Sequence, residues 1–183
     1  MFARTERLLL RPGWPEDAPA LYEAICDEAI VRNLGRAPWP YAPDDARVFL
    51  DRSRPAHLPD FLIFRRTAGA PQLVGSIGVS PDDDGSPEFG YWISRKHWGL
   101  GYATEAGRAA LAAAAAIGLC SLKAAHYVDN PASGKVLKKL GFRPTGEITR
   151  RFAKGRGHKV DAVEYDIRLC ADAESNDMRP LAA

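Results

Sequence analysis

Trp98-Gly99-Leu100-Gly101-Tyr102-Ala103-Thr104-Glu105-Ala106 is the stretch of this sequence that decides its fold. It follows an apolar run typical of a strand, Glu88 to Ser94, and opens an alanine-rich run typical of a helix, Tyr102 to Ile117. The glycines therefore predict a tight strand-to-helix turn. Glycines let a backbone approach a ligand closely, and the first N–H groups of a helix are free to bind an anion. The turn is thus a candidate phosphate or pyrophosphate site.

Two common phosphate-binding motifs do not fit this turn. No Gly-Lys-Ser/Thr follows it, as a Walker A loop requires, and the third glycine of the dinucleotide motif is missing. A tight turn that binds nothing is the alternative. Small residues follow on and near one helix face and would let the helix lie close to a sheet: Ala106, Ala109, Ala110 and Ala113.

Outward from the turn, the sequence predicts a mixed α/β layer fold. Strands are expected at 7–11, 61–64, 73–79, 88–94, 122–128, 142–151 and 160–169. Helices are expected from Glu16 past Ile30, from Asp44 or Asp45, over 102–117 with Gly118 as the C-terminal cap, and over 133–140. The unit 88–128 should be a right-handed parallel crossover. We expect one domain over 1–170 and a frayed tail over 171–183.

Composition narrows the class of protein. The chain has 183 residues, of which 46% are hydrophobic and 26% charged, and its net charge is +2. A chain of this length can bury roughly 70% of its unfolded surface, so it needs neither a disulfide nor a metal to fold. So small a net charge gives no general attraction to nucleic acid or membrane. The longest apolar run, 109–120, is too short to span a bilayer.

Cysteine usage and the start of the chain favour a cytoplasmic location. Cys26, Cys120 and Cys170 are sparse, odd in number and far apart, which suits a reducing compartment. No cysteine–histidine spacing predicts zinc, and no metal is expected. Charges interrupt the apolar residues of Met1 to Arg11, unlike those of a signal peptide.

Several motifs in order resemble the GNAT superfamily of acyl-CoA-dependent N-acyltransferases. They are Glu88-Phe-Gly-Tyr-Trp-Ile93, the turn quoted above, Asn130-Pro-Ala-Ser133 and Leu137-Lys-Lys-Leu-Gly-Phe142. With Thr5-Glu-Arg-Leu-Leu-Leu-Arg-Pro12 and Phe61-Leu-Ile-Phe64, the chain resembles the RimJ/RimL-type branch, which includes enzymes that acetylate ribosomal-protein N-termini. The resemblance covers about residues 4 to 169. It implies a mixed seven-stranded sheet splayed between the fourth and fifth strands, and about four helices.

The resemblance also implies acetyl-CoA as co-substrate. Its pantetheine arm would enter the gap between 88–94 and 122–128, bonding the backbone like an added strand. Its pyrophosphate would reach the amides of the turn. Lys96 stands where the family often has Gln or Arg, which matters little because backbone makes most of the phosphate contacts. The implied cofactor-binding residues are Trp92, Ile93, Ser94, Lys96, Trp98, Gly99, Leu100, Gly101, Tyr102, Ala103 and Asn130.

Glu88 is the predicted catalytic base. An aliphatic amine has a pKa of about 10.4, so it must lose a proton to attack a thioester at neutral pH. A carboxylate can accept that proton directly or through water. Glu88 begins the strand that lines the cleft, and Asp161 is its rival. The structural alternative for Glu88 is a solvated charge or an ion pair.

Ser133 is the predicted donor to the leaving thiolate. Many GNAT enzymes place a tyrosine four residues before the Gly-Phe pair, where this chain has Leu137. Ser133 is the nearest remaining motif hydroxyl, and Tyr127 is a second candidate. A helix N-cap is the structural alternative for Ser133.

The remaining candidate residues concern the side of the site that would bind the acceptor amine. Trp39 and Tyr41, in a helix-to-helix loop, either shape an amine pocket or cap the core. His126 either faces the cleft or is a hydrogen-bonded strand histidine, and Asp161 is a further candidate. The basic hairpin, Arg150, Arg151, Lys154, Arg156, His158 and Lys159, either steers an acidic acceptor or is a solvated edge.

The sequence therefore predicts direct acetyl transfer to a primary amine, with no metal and no covalent enzyme intermediate. The acceptor is either a protein N-terminus or a small-molecule amine. The alternative from another class is a non-catalytic CoA-binding sensor or interaction domain. No membrane or nucleic-acid partner is expected, and the pattern leaves a homodimer open.

Overall fold

The computed structural model describes residues 1–170 apart from 53, 54, 56 and 83, so the predicted tail at 171–183 lies outside the described residues. The strands are β1 (Ala3–Arg4), β2 (Leu8–Arg11), β3 (Asp60–Arg65), β4 (Gln72–Pro81), β5 (Pro87–Ile93), β6 (Ser121–Tyr127), β7 (Arg143–Ala153) and β8 (His158–Arg168). The α-helices are α1 (Ala18–Ile25), α2 (Glu28–Val31), α3 (Pro43–Asp51), α4 (Tyr102–Ala116) and α5 (Pro131–Lys139).

All eight strands form one sheet in the order β1-β2-β3-β4-β5-β6-β8-β7. The β5–β6 pair is parallel and the other neighbours are antiparallel. Within the described residues, β5 and β6 share one register pair, Glu88 with Lys123, so the sheet is open toward the ends of these strands. This confirms the predicted position of the gap. The predicted seven strands become eight because the chain before the first predicted strand pairs back on it, as Ala3 with Leu10.

Strand alternation separates two hydrophobic layers. Phe89 and Ile93 of β5 point to the layer beneath α4 and α5, whereas Trp92 points to the layer beneath α1 to α3. Each layer buries the apolar side of its helices. The two faces of β5 therefore open onto different sides of the gap.

Helix α4 lies close to the sheet because its inner residues are small. Ala106, Ala110 and Ala114 are fully buried. A Cβ at Gly107 would stand 2.5 Å from Leu140 Cδ1, so a larger residue here would require the Leu140 side chain to move. The helix ends at Gly118, whose φ is +86°, as the sequence predicts.

The first predicted helix is divided in two. Glu16 lies in a 3₁₀ turn, Pro15–Asp17, ahead of α1. The Asp27 side chain then accepts a hydrogen bond from the Ala29 N–H (2.9 Å) and starts α2 as a new N-cap. Five α-helices result, of which α2 has four residues.

Cys120 and Cys170 form a disulfide, with their Cα atoms 4.7 Å apart. Two of the three cysteines that are far apart in the sequence are therefore bonded, which the argument from their sparse, odd number did not anticipate. They are 50 residues apart in sequence, but antiparallel pairing of Ser121 with Arg168 brings them together. Cys26 is a free thiol. The cytoplasmic location stays a prediction. None of the helices in the described part of the chain is long and apolar enough to cross a membrane.

Candidate active site

The glycine turn joins β5 to α4 as predicted. A 3₁₀ turn, Arg95–His97, precedes it, and Gly99 and Gly101 have φ of +75° and +80°. The first bond of the helical ladder runs from the Glu105 N–H to the Gly101 carbonyl (3.0 Å). The N–H groups ahead of Glu105 thus lie outside the ladder, at the positive end of a 15-residue helix. This arrangement suits a pyrophosphate.

Arg7 on the neighbouring chain segment holds this turn in place. Its Nη1 donates to the Leu100 carbonyl (3.0 Å) and its Nε to Glu105 Oε2 (2.7 Å). Thr5 also donates to Glu105 (2.5 Å). Burial opposes the charge of Glu105, but these hydrogen bonds outweigh it and hold the pKa of Glu105 below its ordinary value. The guanidinium neutralises a carboxylate that would otherwise repel an anion. Arg7 lies in a quoted motif, but its sequence gives no sign of this contact.

The main chain of β5 presents selected groups to the gap. The Ser94 N–H donates to the Val74 carbonyl of β4 (2.8 Å), so Ser94 and, by alternation, Trp92 are turned away from β6. Tyr91 and Ile93 are the residues whose main chain faces β6. The Trp98 indole N–H donates to the Ile93 carbonyl (2.6 Å). Of the residues predicted to bond the pantetheine arm through their backbone, Ile93 faces the gap, and Tyr91, which was not among them, faces it as well.

The other predicted cofactor residues surround the turn and the start of α5. Lys96 is exposed on the 3₁₀ turn, and the Leu100 side chain points to solvent. Tyr102 is buried, and the Arg7 guanidinium carbon lies 4.8 Å from the centre of the Tyr102 ring. Ala103 is half-buried in the first turn of α4. Asn130 is the N-cap residue of α5, and its side chain makes no capping hydrogen bond.

Ser133 meets Tyr91 on the α5 side of the gap. The two hydroxyl oxygens are 2.9 Å apart. Ser133 is the third residue of α5 and makes no N-cap bond, so the structure excludes the N-cap alternative. Burial raises the pKa of Tyr91 to about 12, although its bond to Ser133 lowers it. Because this pKa is far above neutral pH, Tyr91 keeps its proton and can donate a hydrogen bond. It does not give up that proton to a thiolate, because a thiol has a pKa of only about 8.5.

Glu88 lies on the opposite face of β5 and contacts Arg151. The Arg151 Nη1 donates to Glu88 Oε1. The same guanidinium binds Glu164 through Nε (2.8 Å) and Nη2 (2.7 Å). Burial alone would lower the pKa of Arg151, but Glu164 and Glu88 together raise it. Glu88 is thus an ion-paired carboxylate whose side chain remains 21% exposed.

Asp161 and His126 lie on the α5 face instead. Asp161 is exposed and pairs with Arg150 (3.6 Å). His126 Nδ1 is 2.8 Å from the Tyr127 carbonyl and Nε2 is 3.3 Å from the Tyr165 hydroxyl. A Cβ on Gly134 of α5 would stand 2.5 Å from His126 Nε2, so this side chain packs directly beneath the helix. Of the two alternatives predicted for His126, the structure therefore favours a strand histidine that is hydrogen-bonded within the fold.

The aromatic loop residues differ in exposure. Trp39 is 38% exposed, whereas Tyr41 is buried in the α1–α3 layer. The Tyr41 hydroxyl has no hydrogen-bond partner among the described residues, and burial raises its pKa to about 12. Tyr41 therefore occupies a core position. Tyr127, the second candidate donor, is also buried and donates to the Phe152 carbonyl (3.3 Å).

The predicted basic hairpin is only partly a free cationic surface. Arg156 donates to the Arg32 carbonyl (2.6 Å) and to both carboxylate oxygens of Asp129 (2.8 and 2.9 Å). The Lys154 N–H donates to the Gly35 carbonyl (3.0 Å). These bonds fasten the β7–β8 turn onto the loop after α2 and, through Asp129, onto the segment between β6 and α5. Arg151 is likewise engaged, which leaves Arg150, Lys154 and Lys159 as the exposed cations of the hairpin, beside the exposed His158.

Residues 7–143 match the family described as Acetyltransferase (GNAT) domain. The chain belongs to this family. This match shows that it is an acyl-CoA-dependent N-acyltransferase and confirms the resemblance of the quoted motifs. Among the described residues, no group of three or more His, Cys, Asp or Glu side chains could hold a metal ion.

Known acetyltransferases resemble this chain over almost its whole length. The uncharacterized N-acetyltransferase p20 of Bacillus licheniformis is 27% identical over 89% of this chain and 93% of its own. A GNAT-family acetyltransferase from Bacillus anthracis has a TM-score of 0.77 and 26% identity, covering 92% and 99% of the two chains. RimL, a ribosomal L7/L12 alpha-N-protein acetyltransferase in complex with coenzyme A, has a TM-score of 0.73 and 19% identity, covering 92% and 98%.

Proposed function

We propose that this GNAT protein transfers the acetyl group of acetyl-CoA directly to a primary amine. One observation carries the proposal: the gap between β5 and β6 has a carboxylate, Glu88, on one face and a hydroxyl pair, Tyr91 and Ser133, on the other. The gap ends at the anion-binding turn. We assign the activity to one domain, residues 1–170, in the cytoplasm.

The acetyl donor would follow the gap toward the turn. The Tyr91 and Ile93 main chain faces the pantetheine arm, and the amides at Gly99 to Ala103 face the pyrophosphate. The Trp98 N–H is already bonded to the Arg95 carbonyl (3.2 Å). Asn130, at the start of α5, has a side chain without a capping bond and is available to a pantetheine amide. The thioester then lies between Glu88 and Ser133.

Each side chain has one task in the reaction. The neutral amine nitrogen attacks the thioester carbonyl carbon, and the proton that it loses passes to Glu88, directly or through water. The C–S bond breaks and the electron pair goes to sulfur. The Ser133 hydroxyl, which lies 2.9 Å from the Tyr91 hydroxyl, donates its hydrogen bond to the thiolate. No step needs a covalent bond to the enzyme.

A panel of acceptor amines tests the proposal. Purified protein is mixed with acetyl-CoA and either peptides with free N-termini or small molecules such as amino acids and polyamines. We expect thiol release that depends on the amine, together with an acetylated amine seen by mass spectrometry. Peptide acceptors alone would assign a protein N-terminal substrate, and small amines alone the other class. CoA binding without transfer to either class would contradict the proposal and favour a sensor.

Ser133→Ala should lower kcat and leave the affinity for acetyl-CoA unchanged. The lost hydrogen bond acts chiefly in the transition state, after the charge has formed on sulfur. Loss of one oxyanion donor elsewhere costs about 10²–10³ in rate, and a lone hydroxyl should cost no more. Steady-state kinetics and calorimetry with acetyl-CoA measure the two quantities.

Ser133→Thr is the matched control for this variant because it keeps the hydroxyl. It should retain more of the rate than Ser133→Ala. Wild-type turnover in Ser133→Ala, with a lower melting temperature, would show that Ser133 only supports the first turn of α5.

A further inference from the structure

Arg151 stands between two carboxylates on the Glu88 face of the gap. Two of its nitrogens, Nε and Nη2, bind Glu164 as a fork, at 2.8 and 2.7 Å. Thr149 fixes Glu164 further by donating to its Oε1 (2.5 Å). A third nitrogen, Nη1, reaches Glu88 Oε1. Arg151 is thus anchored on one side and holds Glu88 on the other.

The bond to Glu88 is not needed to bury this cluster. Glu164 is buried and requires a counter-charge, which the Arg151 fork supplies without Glu88. Glu88 is one-fifth exposed and water alone could solvate it. What the third contact adds is orientation, because it selects one rotamer of a flexible side chain at the point where β5 and β6 pair, before they separate.

The charges of the cluster suit an amine. Glu88 and Glu164 carry two negative charges against one positive charge on Arg151, so the group retains a net negative charge that attracts an ammonium ion. Arg151 contacts Oε1 of Glu88. Within the described residues, Oε2 has no hydrogen bond, so that oxygen is available to the proton of the acceptor.

We infer that Arg151 is a positioning residue that fixes Glu88 as the base for the acceptor amine. Glu164 and Thr149 fix Arg151 in turn. The inference rests on the proposed function, because it assigns Arg151 a role through Glu88 and none of its own in the chemistry. It implies that residues of β7 and β8, which do not touch the substrate themselves, hold the base in place.

Arg151→Gln should lower kcat by about tenfold to a hundredfold, because small misplacements of a reacting group cost up to about 10² in rate. The affinity for acetyl-CoA, measured by calorimetry, should not change. Arg151→Lys keeps the positive charge but cannot bind both carboxylates as a fork, and we expect an intermediate rate. Arg143→Gln, an exposed arginine at the start of the same strand, is the matched control and should behave as wild type, because it lies at the other end of β7 from the Glu88 contact.

A double-mutant cycle separates positioning from a structural role. In a Glu88→Gln background, Arg151→Gln should cause no further loss of kcat. Independent losses that multiply would overturn the inference, since Arg151 would then act without Glu88. If Arg151→Gln does not fold, the cycle is run with Arg151→Lys, which leaves Glu164 paired with a cation.

The cycle also distinguishes this inference from the proposed base. Wild-type turnover in Glu88→Gln would remove Glu88 as the base and the role of Arg151 with it. A slow Glu88→Gln combined with a wild-type Arg151→Gln would overturn the role of Arg151 alone.

Discussion

Gly101→Val should abolish acetyl-CoA binding while the protein stays folded. Gly101 has φ of +80°, which a β-branched residue adopts only under strain, and the new side chain would stand 3.5 Å from Arg7 Nη2. The amides of the turn would then turn away from the pyrophosphate. Loss of two hydrogen bonds to a charged group costs about 3–6 kcal/mol, or roughly 10²–10⁴ in affinity. Calorimetry with CoA measures the loss, and circular dichroism checks the fold.

Gly118→Val is the matched control at the other end of the same helix. Gly118 has φ of +86°, and a Cβ there would meet nothing within 4 Å. Both variants should therefore lose similar stability, about 1–2 kcal/mol for a side chain in this backbone region. Only Gly101→Val should lose CoA. Unchanged affinity would move the pyrophosphate away from the turn, and equal losses in both variants would trace the effect to the stability of α4.

The sequence was most informative where structure is local. The predicted strand at 88–94 and helix at 102–117 agree with Pro87–Ile93 and Tyr102–Ala116 to within one residue at each end. Periodicity and the two glycines define this unit without help from the rest of the chain. The same is true of the cap at Gly118, where the Leu119 N–H donates to the Ala114 carbonyl (3.1 Å).

Contacts between distant strands could not be predicted in the same way. The partner of Glu88 is 63 residues away, and it faces Glu88 only because of how β7 and β8 pair. That register shifts between Pro144 and Ile148, where Gly146 has φ of +89°. A proline and a glycine in a strand indicate a bulge, but they do not tell which residues it brings opposite each other. The Cys120–Cys170 disulfide likewise depends on the pairing of β6 with β8.

Residue identity alone also left the role of Ser133 open. Serine favours N-cap positions, but Pro131 is best accommodated at the first position of a helix, which makes Asn130 the N-cap and places Ser133 two residues inside. The hydroxyl is then free to meet Tyr91. Recognition of this proline would have decided between the two interpretations from the sequence.

Glu88→Gln should reduce kcat/KM at neutral pH by about 10²–10⁴, the usual contribution of a general base. Glutamine keeps an oxygen for the Arg151 Nη1 and therefore the geometry, but it cannot take the proton of the amine. Raising the pH should restore part of the rate, because an amine with a pKa of about 10.4 loses its own proton as the pH approaches that value. The affinity for acetyl-CoA should barely change. The measurement is kcat/KM for the amine from pH 6 to about 10.

Asp161→Asn is the matched test of the rival base. Asp161 is exposed on the opposite face of the sheet from Glu88, beside Arg150, so its conversion to an amide should leave the pH profile as in wild type. If Asp161→Asn loses the rate and Glu88→Gln keeps it, the base is Asp161. If both keep a wild-type rate and pH dependence, the proton leaves through water. The proposal confines the loss to Glu88→Gln, because Glu88 lies where β5 pairs with β6, on the face of β5 opposite the Tyr91–Ser133 hydroxyls.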